Sequence, residues 1–283
     1  MTENKIPDIY SLSPVEQYGN FFVKRDDLFR LGAVNGGKLR QALYLMVDAK
    51  EKGALTFMTG SSYLSPQLPI VATVARELNT PAHLFTGASP RTYTESHYGK
   101  VALAAGAEVH YSRCARNNAL YADIRKYSPR LPSPFIIEQG MTSMDDRHYF
   151  DLLSRQVSNC PDAENFVIIC GSAMNSIGVL HGIAKYGKRY KNILLLGVAP
   201  NRNNKIQAVA QKLGLSIPAY TYIDAHSRLP GYKYENTYSE SIGNIKLHPR
   251  YEAKAMRFLR RRRMAEASTL FWIVGGEIGF HQN

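Results

Sequence analysis

The chain has 283 residues, with 35 Lys and Arg against 23 Asp and Glu, a formal net charge of +12 at pH 7. A hydrophobic fraction of 45% with 11% aromatics supplies a full core, which excludes disorder for the chain as a whole, and the length suits one large domain or two modest ones. The three cysteines, Cys114, Cys160 and Cys170, form no CxxC pair and have no histidine nearby at metal spacing. Neither a disulfide scaffold nor a structural zinc site is expected, no metal is predicted, and the compartment is read as reducing. The segment Met1 to Asp8 is polar and no apolar stretch reaches the ~18 residues of a membrane span, so the expectation is a cytoplasmic protein with no membrane partner.

Along the chain, apolar runs of strand length are predicted at Phe21–Val23, Leu55–Met58, Ala82–Phe85, Glu108–Tyr111, Phe135–Ile137, Phe166–Ile169, Ile193–Val198 and Leu270–Val274. Between most of them, apolar spacing near 3.6 predicts helices over Leu39–Lys50, Ile70–Leu78, Lys100–Ala105, Tyr149–Val157, Gly178–Tyr186 and Ile206–Leu213. Strands alternating with helices mean βαβ units and a largely parallel sheet, hence an α/β fold. Ligands of such sheets bind beyond the carboxyl ends of the strands. Three loops there stand out: Thr59–Gln67, Cys170–Gly178 and Ala199–Asn204. The segment His226–Pro249 is rich in Tyr, Gly, Asn and Ser without clear period, and is expected to be a long surface excursion near a site.

Four groups of residues could carry chemistry. Gly171, Ser172, Ala173, Met174, Asn175 and Ser176 follow a strand and open a helix, which suits either a bound phosphate or an ordinary N-cap. Lys38 follows Gly36 and Gly37 at a helix start; it is either a surface lysine or a Schiff-base amine whose pKa burial lowers. Tyr251 and Glu252 precede a helix; a lone Tyr-Glu pair has no specificity, but near a cofactor a phenol can move a proton and a carboxylate can hold a ring nitrogen protonated. Arg257 and Arg260, Arg261, Arg262 and Arg263 make the densest basic run, either a solvated helix face or a polyanion-binding strip.

These segments fall in an order that resembles a known family. Val23–Leu28, Gly36–Arg40, the loop with Ser65 and Gln67, Ala104–Val109, Gly171–Ser172, Pro249–Met256 and Leu270–Gly276 together resemble the tryptophan synthase β-like, fold type II pyridoxal-phosphate enzymes. The most similar subset is the aminocyclopropane-carboxylate deaminase and D-cysteine desulfhydrase group. The resemblance implies a two-lobed architecture, with residues 1–47 and 156–283 as a large cofactor lobe, 48–155 as a smaller inserted lobe, pyridoxal 5'-phosphate in the cleft between them, and a homodimer. It implies Lys38 as the Schiff-base lysine, Ser65 and Gln67 at the substrate carboxylate with Ser65 assisting proton transfer, Gly171 to Ser176 at the cofactor phosphate and Glu252 at the pyridine nitrogen. Tyr251 and, with looser alignment, Tyr232 are its catalytic tyrosines.

The chain departs from that pattern at the site. Pro66 stands where the family has Asn, Ala173 and Met174 where Gly is usual, Gly37 where Asn precedes the lysine, and Val274-Gly275-Gly276 where the family has Thr-Gly-Gly. Met174 is expected to crowd the phosphate loop, and the chain is shortened around Ser227–Leu247. The leading expectation is a pyridoxal-phosphate enzyme, a lyase or deaminase acting on a small amino acid. The surplus of positive charge motivates an alternative: an amino-acid (serinyl-type) transferase that hypermodifies a thymine-derived base in bacteriophage DNA, working in the host cytoplasm. A cofactor-free binding protein on the same scaffold is the third.

Overall fold

All eight predicted strand runs form strands in the computed structural model, which describes residues 6–275. In chain order, the antiparallel pair β1 (Val15–Tyr18) and β2 (Phe21–Arg25) is followed by a short hairpin of β3 (Arg30–Leu31) and β4 (Val34–Asn35), then by α1 (Gly37–Glu51). Next come β5 (Thr56–Gly60), α2 (Gln67–Glu77), β6 (Ala82–Thr86), α3 (Pro90–Glu95), α4 (His97–Ala104), β7 (Glu108–Tyr111), α5 (Asn117–Tyr127) and β8 (Pro134–Ile137). They are followed by α6 (Arg147–Arg155), β9 (Ala163–Cys170), α7 (Met174–Lys185), β10 (Tyr190–Gly197), α8 (Asn203–Leu213), β11 (Thr221–Asp224) and α9 (Ala225–Arg228). A hairpin of β12 (Ser241–Ile242) and β13 (Ile245–Lys246) then leads to α10 (Glu252–Arg261) and β14 (Thr269–Ile273).

These elements form two compact units. The first holds residues 6–9 and Phe29–Thr142 of the described chain, around a parallel sheet of order β7-β6-β5-β8. Helix α1 belongs to it, because Leu39, Ala42, Leu43 and Met46 join Val34, Leu68 and Ile70 in its core. The edges of the compact units thus fall at residues 28/29 and 142/143, whereas the family resemblance places 1–47 in the larger lobe.

The second unit holds Tyr10–Leu28 and Ser143–Gly275, around a sheet of order β1-β2-β14-β9-β10-β11 that is parallel from β2 onward. Trp272 pairs with Ile168, and Cys170 with Gly197, so neighbouring strands release their chains at the same edge. Helix α7 approaches α6 through two glycines: a Cβ on Gly178 would lie 2.3 Å from Leu153 Cβ, and one on Gly182 would lie 2.4 Å from the Ser154 carbonyl oxygen.

The segment expected as a surface excursion is partly core. Tyr232, Ile242, Ile245 and Leu247 are buried with Val167 and Phe271. These apolar residues are too widely spaced to show a period, so they escape a pattern search.

The Lys24-Arg25-Asp26-Asp27 motif is structural. Asp26, 1% exposed, accepts from Ser13 Oγ at 2.6 Å and from Trp272 Nε1 at 2.9 Å. Fully buried Lys24 donates to the Ser13 carbonyl at 2.7 Å and to Asn159 Oδ1 at 2.6 Å, and Arg25 holds both oxygens of Asp27 at 2.9 and 2.8 Å. A buried charge is tolerated only when so partnered. Trp272→Phe removes one donor from a buried carboxylate, a loss of about 2–3 kcal/mol, to be read as a lower urea midpoint with an unchanged m-value.

Candidate active site

In the first unit, the tight turn into α1 depends on Gly36, whose φ of 91° lies in the left-handed region that favours glycine and whose N–H donates to the Phe29 carbonyl at 2.9 Å. Gly37 opens the helix and Lys38 sits in its first turn. Lys38 is half-buried, and desolvation alone lowers its pKa from 10.5 to about 8. No acidic group contributes to offset that shift, which distinguishes Lys38 from an ordinary surface lysine.

Beyond the carboxyl end of β5, buried Ser65 donates its N–H to the Ser62 carbonyl at 2.9 Å, while its Oγ accepts from the Gln67 N–H at 3.3 Å. Pro66 occupies the N-cap position of α2 with φ −68°, a geometry its ring prefers. Gln67 is fully buried and its amide is committed to the fold. Its Nε2 donates to Thr59 Oγ1 at 2.7 Å and to the Glu138 carbonyl at 3.2 Å, and its Oε1 accepts from the Gly140 N–H at 2.7 Å. Those bonds make Gln67 the residue that holds the Ser65 loop in place, rather than an open hydrogen-bonding group.

In the second unit, β9 delivers the chain to Gly171, where a Cβ would meet nothing within 4 Å. Ala173 takes φ +79° as the N-cap residue of α7, a left-handed conformation where glycine would be unstrained. Helix α7 has no side-chain cap, and Asn175 Nδ2 is buried with no hydrogen-bond partner among the described residues. A helix start with uncommitted donors is suited to an anion. Met174 is itself fully buried, so it packs within the protein and does not stand over an open loop. Buried Ser176 hydrogen-bonds the thiol of Cys170, whose pKa burial pushes up to about 11.

The neighbouring strand adds cations absent from the sequence-predicted site. Past the end of β10, the Arg202 N–H donates to Tyr222 Oη at 3.1 Å, and Arg202 Nε is buried without a hydrogen-bond partner among the described residues. Lys205 has a lowered pKa, from burial first and then from Arg202. The signal available in sequence was the Ala199–Asn204 loop, which carries Arg202 at a strand end.

Glu252, 0% exposed, starts α10 and accepts the Val274 N–H at 2.8 Å on Oε1. That bond ties the carboxylate to the end of β14, next to β9 and the Gly171 loop. The contact uses only the backbone of Val274, so Val in place of Thr does not disturb it; Gly276 lies outside the described residues. Tyr251 Oη lies 2.6 Å from Tyr234 Oη, and its ring packs on His248 at 4.3 Å. Burial, helped by Arg250, depresses His248 to about 3, so this histidine is neutral at physiological pH. Tyr232 is buried with no hydrogen-bond partner for its hydroxyl among the described residues, and burial raises its pKa against the pull of Arg261. Tyr234 and His248 belong to this group as much as the predicted tyrosines do, but their isolated positions carry no motif.

The basic run splits. Arg257 lies over the Tyr238 ring at 4.4 Å, whereas Arg260 to Arg263 are exposed around the carboxyl end of α10, with Arg260 and Arg261 about 12–14 Å along the axis from Glu252 at 1.5 Å per residue. Arg260 pairs with Glu240 at 2.5 Å. Cations at a helix carboxyl end are favoured by the macrodipole. The candidate residues thus form two groups, Lys38, Ser65 and Gln67 in the first unit and Gly171–Ser176, Glu252, Tyr251 and Tyr232 in the second.

A depressed lysine pKa is a stability cost below pH 8, where both folded and unfolded states hold the charge but only the folded state has desolvated it. Stability rises as pH climbs from about 8 to 10.5. Lys38→Met is therefore expected to raise Tm at pH 7, with the difference narrowing toward pH 10.5 in a series of thermal melts.

No protein-family model matches the chain. It is 25% identical over 349 aligned positions to the O-seryl-dTMP PLP-dependent decarboxylase of Salmonella phage ViI, covering 95% of this chain and 82% of that protein. It is 26% identical over 289 positions to a Thermotoga maritima protein assigned as a 1-aminocyclopropane-1-carboxylate deaminase, covering 93% and 91%. Among solved structures, an ACC deaminase homologue superimposes with a TM-score of 0.78 at 20% identity, covering 97% of this chain and 91% of that one. Sheet order, helix placement and these similarities together give the chain the fold of the tryptophan synthase β-like, fold type II pyridoxal-phosphate enzymes.

Proposed function

We propose that the chain is a pyridoxal 5'-phosphate-dependent enzyme acting at the α-carbon of an amino acid, by elimination, replacement or deamination. The observation that carries this is Lys38, a half-buried amine with a pKa near 8 and no acidic group to hold it charged. The donor set fits the cofactor: an uncapped helix start with an uncommitted Asn175 amide for the phosphate, and a buried carboxylate, Glu252, for a ring nitrogen. When bound, pyridoxal phosphate supplies an electron sink for negative charge at the substrate α-carbon. Lys38 would hold it covalently, and as a free amine its Nζ, with a pKa near neutrality, would take and return the α-proton. Glu252, its orientation set by the Val274 N–H, would keep a ring nitrogen protonated. Ser65 receives the substrate carboxylate on a loop braced by Gln67, and Tyr251 moves a proton through its hydroxyl contact with Tyr234. Homodimeric assembly is part of the same proposal and rests on the family resemblance.

The purified protein should turn yellow with added pyridoxal phosphate, and Lys38→Ala should abolish the visible band. Glu252→Gln is expected to keep the band and lower turnover of a free amino acid by roughly 10²–10⁴-fold. A colourless wild-type protein that ignores the cofactor would overturn the proposal and leave a binding role on this scaffold.

The similarity to the phage O-seryl-dTMP decarboxylase and the +12 charge favour a second reading, in which the amino acid is carried on a thymine-derived base in DNA. The acceptor chemistry would then be serinyl transfer, or loss of carbon dioxide as in that relative. In this case duplex DNA binds with a steep salt dependence, and replacing Arg260, Arg261, Arg262 and Arg263 with Ser flattens the slope of log K against log salt. Ammonia and a keto acid released from a free amino acid without nucleic acid would instead favour the first reading.

A further inference from the structure

We infer that the free edge of the first unit's sheet carries a divalent transition-metal site made by His83, Glu108 and His110, separate from the residues assigned to catalysis. Strand β7 is the edge strand, and its pairing with β6 sets His83 opposite Glu108 and Phe85 opposite His110. Side chains two apart on a strand share a face, so Glu108 and His110 project on one side of the sheet together with His83 from the neighbouring strand. His83 Nδ1 lies 3.0 Å from His110 Nε2 and 3.5 Å from a Glu108 oxygen, and His110 Nε2 lies 3.3 Å from the other Glu108 oxygen. The three residues can offer ligand atoms all within 4.8 Å of one another.

Those separations match a coordination polyhedron. Metal–ligand bonds of about 2.0–2.1 Å in a tetrahedron place neighbouring ligand atoms about 3.3 Å apart; the His83–His110 edge of 3.0 Å and each histidine's contact to its own Glu108 oxygen, at 3.5 and 3.3 Å, lie near that value, and a small rotation of the exposed carboxylate would bring one oxygen to both. The two imidazole nitrogens face each other at hydrogen-bond distance; both become ligands when each neutral ring carries its proton on the other nitrogen, which each of the two tautomers allows. A soft-to-borderline ion such as Zn²⁺ or Co²⁺ is the class suited to two imidazoles and one carboxylate, with the fourth position open to water.

The surroundings hold the ligands in place. The His110 ring stacks on Phe85 at 4.5 Å and meets Tyr127 at a tilt at 4.5 Å, and the His83 ring stacks on His110 at 5.3 Å. His83 is nearly buried, whereas the Glu108 side chain is 59% exposed, which gives an ion access from solvent. Such a site would pin edge strand β7 to β6 where only one neighbour holds it by backbone bonds. It is invisible to a search for metal spacing around cysteines, because His83 and His110 are 27 residues apart and meet only through strand pairing.

The test uses the full-length protein after chelator treatment, titrated with Zn²⁺ by calorimetry and with Co²⁺ by visible absorption. One equivalent of Zn²⁺ is expected to bind in the micromolar range or tighter, to raise Tm, and to give with Co²⁺ the intense ligand-field bands of a four-coordinate centre. His83→Gln and His110→Gln should each weaken Zn²⁺ by at least about tenfold and erase those bands, with pyridoxal-phosphate binding unchanged. Glu108→Gln, at an exposed side chain, keeps the test open should a histidine variant misfold. No saturable Zn²⁺ binding by the wild type up to about 100 μM, or equal affinity in folded variants, would overturn the site and leave the pair as a mutual N–H···N hydrogen bond.

Discussion

The second unit depends on the parallel, in-register pairing of β14, β9 and β10. In a parallel ladder every strand points the same way, so loops that leave adjacent strands at matched positions emerge side by side. Cys170 opposite Gly197 places the Gly171 loop beside the loop that carries Arg202. On the other flank, the Val274 N–H at the end of β14 reaches Glu252. The uncapped start of α7, the loop that carries Arg202 and leads to Lys205, and a buried carboxylate are thus brought to one edge of the sheet. A slip of one residue between β9 and β14 would turn alternate side chains to the other face and part these groups.

The buried polar residues divide into those that hold the fold and those that leave capacity unused. Asp26 with Trp272 and Ser13, Lys24 with Asn159, and Gln67 with Thr59 and Gly140 are saturated. They cost little because each charge or amide finds its partners. Lys38, the Asn175 amide and the Tyr232 hydroxyl are different: desolvation acts on the first without a compensating carboxylate, and the other two lack partners among the described residues. Uncompensated burial is destabilising, so its persistence at these positions is where function is sought.

Departures from the family pattern look different once placed in the fold. Pro66 stands at the start of α2, where a missing N–H costs nothing. Met174 points its bulk into packed protein, and the strain that glycine would have relieved falls on Ala173. The shortened segment around Ser227–Leu247 still contributes Ile242, Ile245 and Leu247 to the core.

The alternation of apolar strand runs with 3.6-period segments was enough to establish a parallel α/β architecture, because strand burial and helix amphipathicity are local consequences of composition. Lys38, the Gly171 loop and Glu252 were legible only as candidates, since glycines before a helix and a carboxylate at a helix start are visible one residue at a time, and their proposed roles came from the order of motifs shared with the family. Tertiary structure alone decided which polar groups are spent. Gln67 and a solvent-facing glutamine read alike in sequence, yet one amide is consumed by Thr59, Glu138 and Gly140. Arg202 lies on the loop next to Gly171, Tyr234 and His248 lie against Tyr251, and His83 meets His110, through strand order and chain return, which no short spacing encodes. The physical reason is that pKa, hydrogen-bond saturation and ligand geometry are properties of neighbours in space, and in a parallel sheet those neighbours come from strands tens of residues apart.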